Sequence, residues 1–312
     1  MSSSELARAP LLPESVPDSL STSSTLVPAS HFTIQALTDA YNRARVDYLV
    51  PMPMSVGRLE AYIHNYDIVL DASRVAVADG EIIGLAMMGV RGQSTWVTRM
   101  GVLPTRRRRG AGRALMLGLL AEAVRRGVQE IWLEVIHGNT PAHQLFRSLS
   151  FVETRDLLIL RRPPGAPDSA PDEYATLLSH QDAIRLLDSR SDQPSWLLQT
   201  RSLLNAGNLA ALRVERPGLA GWLVFRADPF QLTHPVLKAE DGPPEQVGLA
   251  LLRALHHHYP TLDTVVDNLP ADDPFIPAYT QLGYVVSFRR IEMRRPLDPS
   301  VAPDNGRGNS QS

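Results

Sequence analysis

Apolar residues at helical spacing open the patterned part of this chain. Ile34, Leu37, Ala40, Tyr41 and Ala44 predict a helix over Thr33 to Tyr48. Pro51 and Pro53 break it, and a second helix is predicted from Val56 to Asn65. The period then shortens. Arg74 to Ala78 and Ile82 to Val90 read as strands joined by the turn pair Asp79-Gly80. A strand over Thr95 to Leu103 leads into a helix over Gly112 to Arg126. In that helix Met116, Leu119, Leu120, Ala123 and Val124 share one face, with Glu122, Arg125 and Arg126 opposite. Glu130 to Val135 is the next strand, a helix follows Asn139, and a last strand ends near Arg162. This order predicts an α/β protein with a mixed sheet covered by helices.

Pro163 to Pro171 reads as an extended linker. Beyond it the pattern returns weakly. Gly248-Leu249-Ala250-Leu251-Leu252 echoes Gly112-Arg113-Ala114-Leu115-Met116, and Tyr279 to Tyr284 echoes Phe146 to Phe151. Leu262 to Asn268 falls where the first half has Glu130 to Ile136. Two copies imply a tandem duplication rather than a solenoid. The expected organisation is a disordered extension over 1–30, a first domain over 31–162, a linker over 163–171, a degenerate second domain over 172–296 and a disordered tail over 297–312.

The strongest chemical signal is Val102-Leu103-Pro104-Thr105-Arg106-Arg107-Arg108-Arg109-Gly110-Ala111-Gly112-Arg113, between a strand and a helix. A helix start presents unpaired N–H groups and the positive end of its dipole. Gly110 and Gly112 let an anion approach the backbone, and the arginines add forked donors suited to phosphate. No Walker string occurs, and the dinucleotide fingerprint lacks its third glycine. The pattern Arg107-x-x-Gly110-x-Gly112 after Val102-x-Pro104 resembles the acetyl-CoA loop of the GNAT acetyltransferase superfamily. Asn139, Ala142 and Phe146 to Phe151 resemble that family's following helix and its ending, with Phe146 in place of tyrosine and Ser150 in place of glycine.

The resemblance implies two tandem GNAT-like domains. Each would be a mixed, mostly antiparallel sheet with splayed central parallel strands flanked by helices. It implies acetyl-CoA as the cofactor, held by Arg107, Arg108, Arg109, Gly110, Ala111, Gly112 and Arg113, with Asn139, Ala142 and Phe146 beside it. The pantetheine arm would lie along Met100, Gly101 and Val102, where the backbone of Met100 polarises the thioester. The activity implied is N-acetyl transfer to a primary amine by direct attack in a ternary complex. A non-catalytic acyl-CoA-binding module is the alternative, since Phe146 lacks the hydroxyl that usually protonates the departing thiolate. Glu134 is the first candidate for the general base, and a hydrogen-bonded strand glutamate is its plainer reading. Asp47 and Tyr48 fall where relatives build the acceptor pocket, so Tyr48 is a second catalytic candidate. His137 and His143 flank Asn139 and read as solvated. In the second half Pro243-Pro244-Glu245 replaces the basic loop, which argues against phosphate there. The tandem layout is similar to that of mycothiol synthases in architecture alone.

Composition narrows this little. The chain has 312 residues and a net charge of −2, which gives no global reason to expect nucleic acid as a partner. It has no cysteine, so thiol catalysis is excluded and a cytoplasmic protein is expected. No apolar run reaches membrane-spanning length. His256-His257-His258 reads as the polar end of a helix, not a metal site, because consecutive helical residues diverge. The four tryptophans read as packing residues. The expected partners are a small-molecule or peptide amine, with neither nucleic acid nor membrane, and the protein is expected to be a monomer or homodimer.

Overall fold

A computed structural model describes residues 24–167, 170 and 173–297. The disorder expected over 1–23 and from Asp298 onward lies outside these residues. Residues 24–30 depart from the expected irregular extension. They contain strand β1 (Thr25–Pro28), which pairs antiparallel with β2 (Arg74–Ala78). Packing is the reason: Leu26 presses on Gly118, where a Cβ would stand 2.8 Å from it.

Helix α1 (Ile34–Arg43) is capped by Thr33 and ends before the predicted Tyr48. Asn42 stops it. Its amide donates to the Met54 carbonyl at 2.8 Å and accepts from the Met54 N–H at 2.9 Å, pinning the returning chain across the helix end. Helix α2 (Val56–Asn65) follows. β2 turns into β3 (Glu81–Arg91) through Asp79 (φ 53°) and Gly80 (φ 76°), the two left-handed residues a tight hairpin needs. Then come β4 (Ser94–Val102), α3 (Ala111–Arg125), β5 (Glu130–Ile136), α4 (Thr140–Ser148) and β6 (Val152–Arg162).

The second half contains β7 (Ala175–Leu178), α5 (His180–Asp188), α6 (Thr200–Ala206), β8 (Leu209–Arg216), β9 (Leu219–Asp228), β10 (Gln231–Asp241), α7 (Pro244–His258), β11 (Asp263–Pro270), α8 (Ile276–Gln281) and β12 (Val285–Pro296). From β8 onward its order repeats that of β2 to β6.

All these strands join one sheet in the order β1-β2-β3-β4-β5-β12-β6-β11-β10-β9-β8-β7. The two halves have exchanged their last strands. β12 pairs with β5 along Glu130 to Ile136, and β6 pairs with β11. Residues 31–162 therefore do not complete their own sheet. Met293 and Leu297 from the far end of the chain lie in the first hydrophobic core, with Leu115, Met116 and Leu119 of α3. Leu158 and Leu160 of β6 lie in the second core, with α7. Glu292 on β12 is 1% exposed and ties the crossing. It accepts from Arg155 (2.9 Å), Arg294 (2.9 Å) and Thr154 Oγ1 (2.9 Å).

Two polar residues are buried against expectation. Glu122 lies under Arg74 at 2.8 Å and Arg126 at 2.6 Å, and its pKa falls to about 2 despite the opposing effect of burial. His256 is fully buried and bonds the Tyr284 hydroxyl at 2.9 Å, and burial lowers its pKa to about 3. The period of each helix carries these positions to the inner edge of its polar face, where a partner makes burial tolerable.

Ser150 follows α4 at φ 63°, a left-handed conformation that costs an L-residue about 1–2 kcal/mol. Its counterpart Gly283 has φ 80°. Ser150→Gly is expected to stabilise the protein by up to about 1 kcal/mol, after the extra chain entropy of glycine is subtracted. A urea midpoint unchanged or lowered in the variant would contradict this.

Candidate functional site

The site begins where a strand pairing fails. β4 and β5 run parallel from Ser94/Glu130 only to Val97/Leu133. Beyond that β4 bulges: Thr98 to Gly101 faces the shorter span Met87 to Leu85 on β3, with Arg99 at φ 51°. The two strands splay, and a cleft of about 770 Å³ opens between them. The second half repeats the device, since β10 and β11 pair only to Thr233/Val265 and His234 bulges at φ 55°.

One end of the first cleft is the basic loop. Arg108 (φ 62°) and Gly110 (φ 85°) are both left-handed, the backbone conformation from which anion nests are built. Gly110 precedes α3 without any side-chain cap, so the first amides of the helix remain available. A Cβ at Gly110 would meet nothing within 4 Å, so the space before the helix is open. Arg108, Gly110, Gly112 and Arg113 line the cleft. Ala111 instead packs in the first core, and Arg109 is solvent-exposed outside the lining.

Arg107 has a different task from simple phosphate contact. It grips Asp47 with two 2.7 Å bonds and donates to the carbonyls of Val102 (3.1 Å) and Ala44 (3.0 Å). It thereby fastens the loop to the end of α1. The guanidinium holds the Asp47 carboxyl below the usual range.

Along the wall, Met100, Gly101 and Val102 line the cleft. Gly101 has a packing reason of its own: a Cβ there would lie 2.9 Å from the Ala44 Cβ. Arg45 donates to the Met100 carbonyl at 3.3 Å and lies over the Tyr48 ring at 4.0 Å. Asn139 caps α4, accepting from Ala142 N–H at 3.4 Å, and its amide donates to the Tyr48 hydroxyl at 3.3 Å. Tyr48, Asn139 and Ala142 are thus brought together in the cleft. Phe146 also touches it but is 5% exposed and packs on Phe151.

The floor holds Glu134. Its side chain is 7% exposed, and its nearest cation is Arg290 of β12 at 3.9 Å. Burial pushes its pKa up to about 7, against the opposing pull of Arg290 and Asn268. Glu292 and Asp267 push the same way as burial. The carboxylate is therefore poised to take a proton near neutrality. His137 is exposed, and His143 bonds Glu153 at 2.8 Å.

Sequence reasoning did not find the residues that complete the floor and far end: Tyr62, Thr98, Arg99, Leu197, Asp267 and Arg290. Three of these come from the second half. Trp196, Leu197's neighbour, stacks on Trp96 at 6.0 Å and donates to the Tyr66 carbonyl at 3.1 Å, so the second half walls the first cleft. The echoes between the halves pointed to a duplication, and nothing in them signalled that the halves interlock.

Comparison with known proteins fits this geometry. Residues 37–151 match the model of the Acetyltransferase (GNAT) family. A [ribosomal protein bS18]-alanine N-acetyltransferase of Salmonella typhimurium is 34% identical over 107 residues, which cover 34% of this chain and 64% of that protein. The chain thus spans under two thirds of the length of that curated relative. Two solved structures share the whole fold. A GCN5-related N-acetyltransferase from Sphaerobacter thermophilus superposes with a TM-score of 0.65 at 17% identity, covering 89% of this chain and 97% of that one. A tandem GNAT protein from the clavulanic acid biosynthesis pathway gives 0.61 at 14% identity, covering 89% and 100%. Residues 37–151 thus match the GNAT family, and the chain shares its fold with both solved structures over 89% of its length. No described helix is long and apolar enough to cross a membrane.

Proposed function

We propose that the protein is an acetyl-CoA-dependent N-acetyltransferase that acetylates a primary amine by direct attack, with residues 31–162 binding the cofactor and residues 172–296 acting as a degenerate copy. The observation that carries this reading is the single cleft joining the open amide nest at Gly110 to the buried, neutral-pKa carboxylate of Glu134. The nest suits a pyrophosphate. The gap between β4 and β5 suits a pantetheine arm, along Met100 to Val102. Acetyl-CoA supplies an activated acetyl group. The amine gives its proton to Glu134, its nitrogen bonds to the acetyl carbon, the carbon–sulfur bond breaks, and the sulfur leaves as thiolate. A thiol pKa of about 8.5 lets water complete that last step without a tyrosine at Phe146.

The second half lacks the nest. Pro243 and Pro244 supply no N–H there, and Glu245 bonds Gln281. The second splay leaves a smaller cavity of about 400 Å³, lined by Pro235, Val236 and Leu237. Tyr279 is 1% exposed with a buried hydroxyl and packs among Phe275, Tyr284 and α7, which is the role of a core aromatic.

Calorimetric titration with acetyl-CoA tests the reading. The wild-type protein is expected to bind one equivalent. Gly110→Asp is expected to weaken binding by at least about 100-fold, or ~3 kcal/mol, because it sets a carboxylate where the pyrophosphate sits. Equal affinity in the folded variant would remove the nest from the site. The missing hydroxyl at Phe146 favours one other reading, acyl-CoA binding without transfer. Tight binding with no turnover over a broad amine panel would select it.

A further inference from the structure

Arg99 stands apart from the other arginines of the cleft. The β4 bulge places it at φ 51°, recessed into the acceptor end of the cleft. Its guanidinium stacks on Tyr62 at 4.0 Å, and Nη1 donates to the Tyr41 hydroxyl at 2.9 Å and faces Met52 Sδ at 3.9 Å. Those contacts fix its orientation without neutralising it. Among the described residues Arg99 has no carboxylate partner, Nη2 makes no hydrogen bond, and Nε is buried without one. Nε and Nη2 form the side of the fork that takes a carboxylate through two parallel bonds. A recessed cation with that edge unspent is costly to keep unless something anionic completes it.

The opposite charge is present too. Asp267, at the β11 bulge, lines the same cleft and forms no ion pair or hydrogen bond through its side chain among the described residues. Tyr66 senses both. Burial chiefly raises its pKa, Tyr62 and Asp267 add to the rise, and Arg99 opposes it. Arg45, Arg108 and Arg113 also line the cleft without a carboxylate partner, but Arg99 is the one stacked on Tyr62 and bonded to Tyr41. This part of the cleft therefore presents a cation and an anion that do not pair with each other, with Glu134 on the floor. A cleft of about 770 Å³ that must also hold the cofactor arm leaves room for a small molecule.

We propose that the acceptor is a small amino carboxylate, a free amino acid in the broad sense. Its carboxylate docks on Arg99 through the unbonded Nη2, and its ammonium enters beside Asp267 and loses one proton to solvent. The neutral amine gives the next to Glu134 as its nitrogen bonds the acetyl carbon and the thiolate leaves. Arg99 is a specificity-determining residue in this scheme, and the proposal rests on the acetyltransferase reading.

The test compares acceptors differing only in the charge that Arg99 would read. Acetylation is measured by thiol release for a panel of amino acids (α, β and ω), each paired with its carboxamide, and for a peptide beginning with alanine. The carboxylates are expected to exceed their amides by about 100-fold in kcat/KM, mostly through KM. In Arg99→Gln that gap is expected to collapse, while acetyl-CoA affinity holds. Equal turnover of acids and amides, or a preference for the alanine peptide, overturns the proposal and leaves the acetyltransferase reading standing. Acetyl-CoA binding with no turnover of any acceptor removes that reading and the proposal with it. Because the acid–amide comparison uses the wild-type protein, misfolding of the variant does not blunt it.

Discussion

Glu134→Gln is expected to lower kcat for amine acetylation by about 10²- to 10⁴-fold, the usual contribution of a positioned general base, while acetyl-CoA still binds. Glutamine keeps the shape of the side chain in the β5–β12 floor but takes no proton from the amine. The pH profile supplies the sign. The carboxyl has a pKa of about 7 because burial dominates, so the basic form grows as pH rises through 7. Wild-type kcat is expected to climb across that range and level off above it, and the residual rate of the variant is expected to lack that step. Stability runs the other way. The folded pKa lies above the ordinary value of 4.5, so the native state holds a proton that the unfolded chain releases between these values. That contribution is full below 4.5 and is lost as pH rises through 7. At pH 8 Glu134→Gln is expected to be the more stable protein, by an amount on the order of a few kcal/mol, and at pH 5 the difference shrinks. An inactive variant that is also destabilised at pH 8 would mark Glu134 as a structural partner of Arg290 instead.

The pairing of that gain with that loss explains what could be read from the chain alone. Local signals were legible because each depends on neighbours in sequence. The turn at Asp79-Gly80 is fixed by two left-handed residues, α2 by its Ser55 cap and its period, and the loop at Gly110 by its position between strand and helix. Glu134 could be named from its strand, but the burial that sets its proton affinity could not, since Arg290, Asn268 and Asp267 arrive from the far end of the chain. Arg99 was missed for a related reason. Its orientation comes from a bulge, and a bulge is a mismatch of register between strands that leaves no period in either one. Arg107 was read as a phosphate ligand from the basic run, while its ion pair with Asp47, 60 positions upstream, appears only on folding. The largest gap concerns the domain boundary. The composition shift at Pro163 to Pro171 reads as a linker, but it says nothing about which sheet the strand before it joins.

That strand exchange sets the second large effect. Residues 24–167 expressed alone are expected to give no folded monomer. Removing the second half strips β5 of its partner along Glu130 to Ile136, and it takes Met293 and Leu297 out of the first core. It also leaves Leu157 to Leu160 on β6 without the β11 and β12 neighbours that bury them. An open β5 edge beside exposed leucines is a template for association, so the fragment is expected to aggregate or to dimerise by lending β6 to a second copy. Size-exclusion chromatography and chemical unfolding check this. A rescue separates the missing strand from any other loss: joining residues 284–297 to the fragment through a flexible linker restores the β5 partner and the two core side chains, and a monomer with a cooperative transition is expected. A fragment that is monomeric and cooperative without the added strand would show that the exchange is dispensable. Loss of acetyl-CoA binding in the fragment, regained in the rescued chain, would tie the geometry of the cleft floor to β12. That outcome follows from Arg290 and Glu134 meeting only across the exchanged strand.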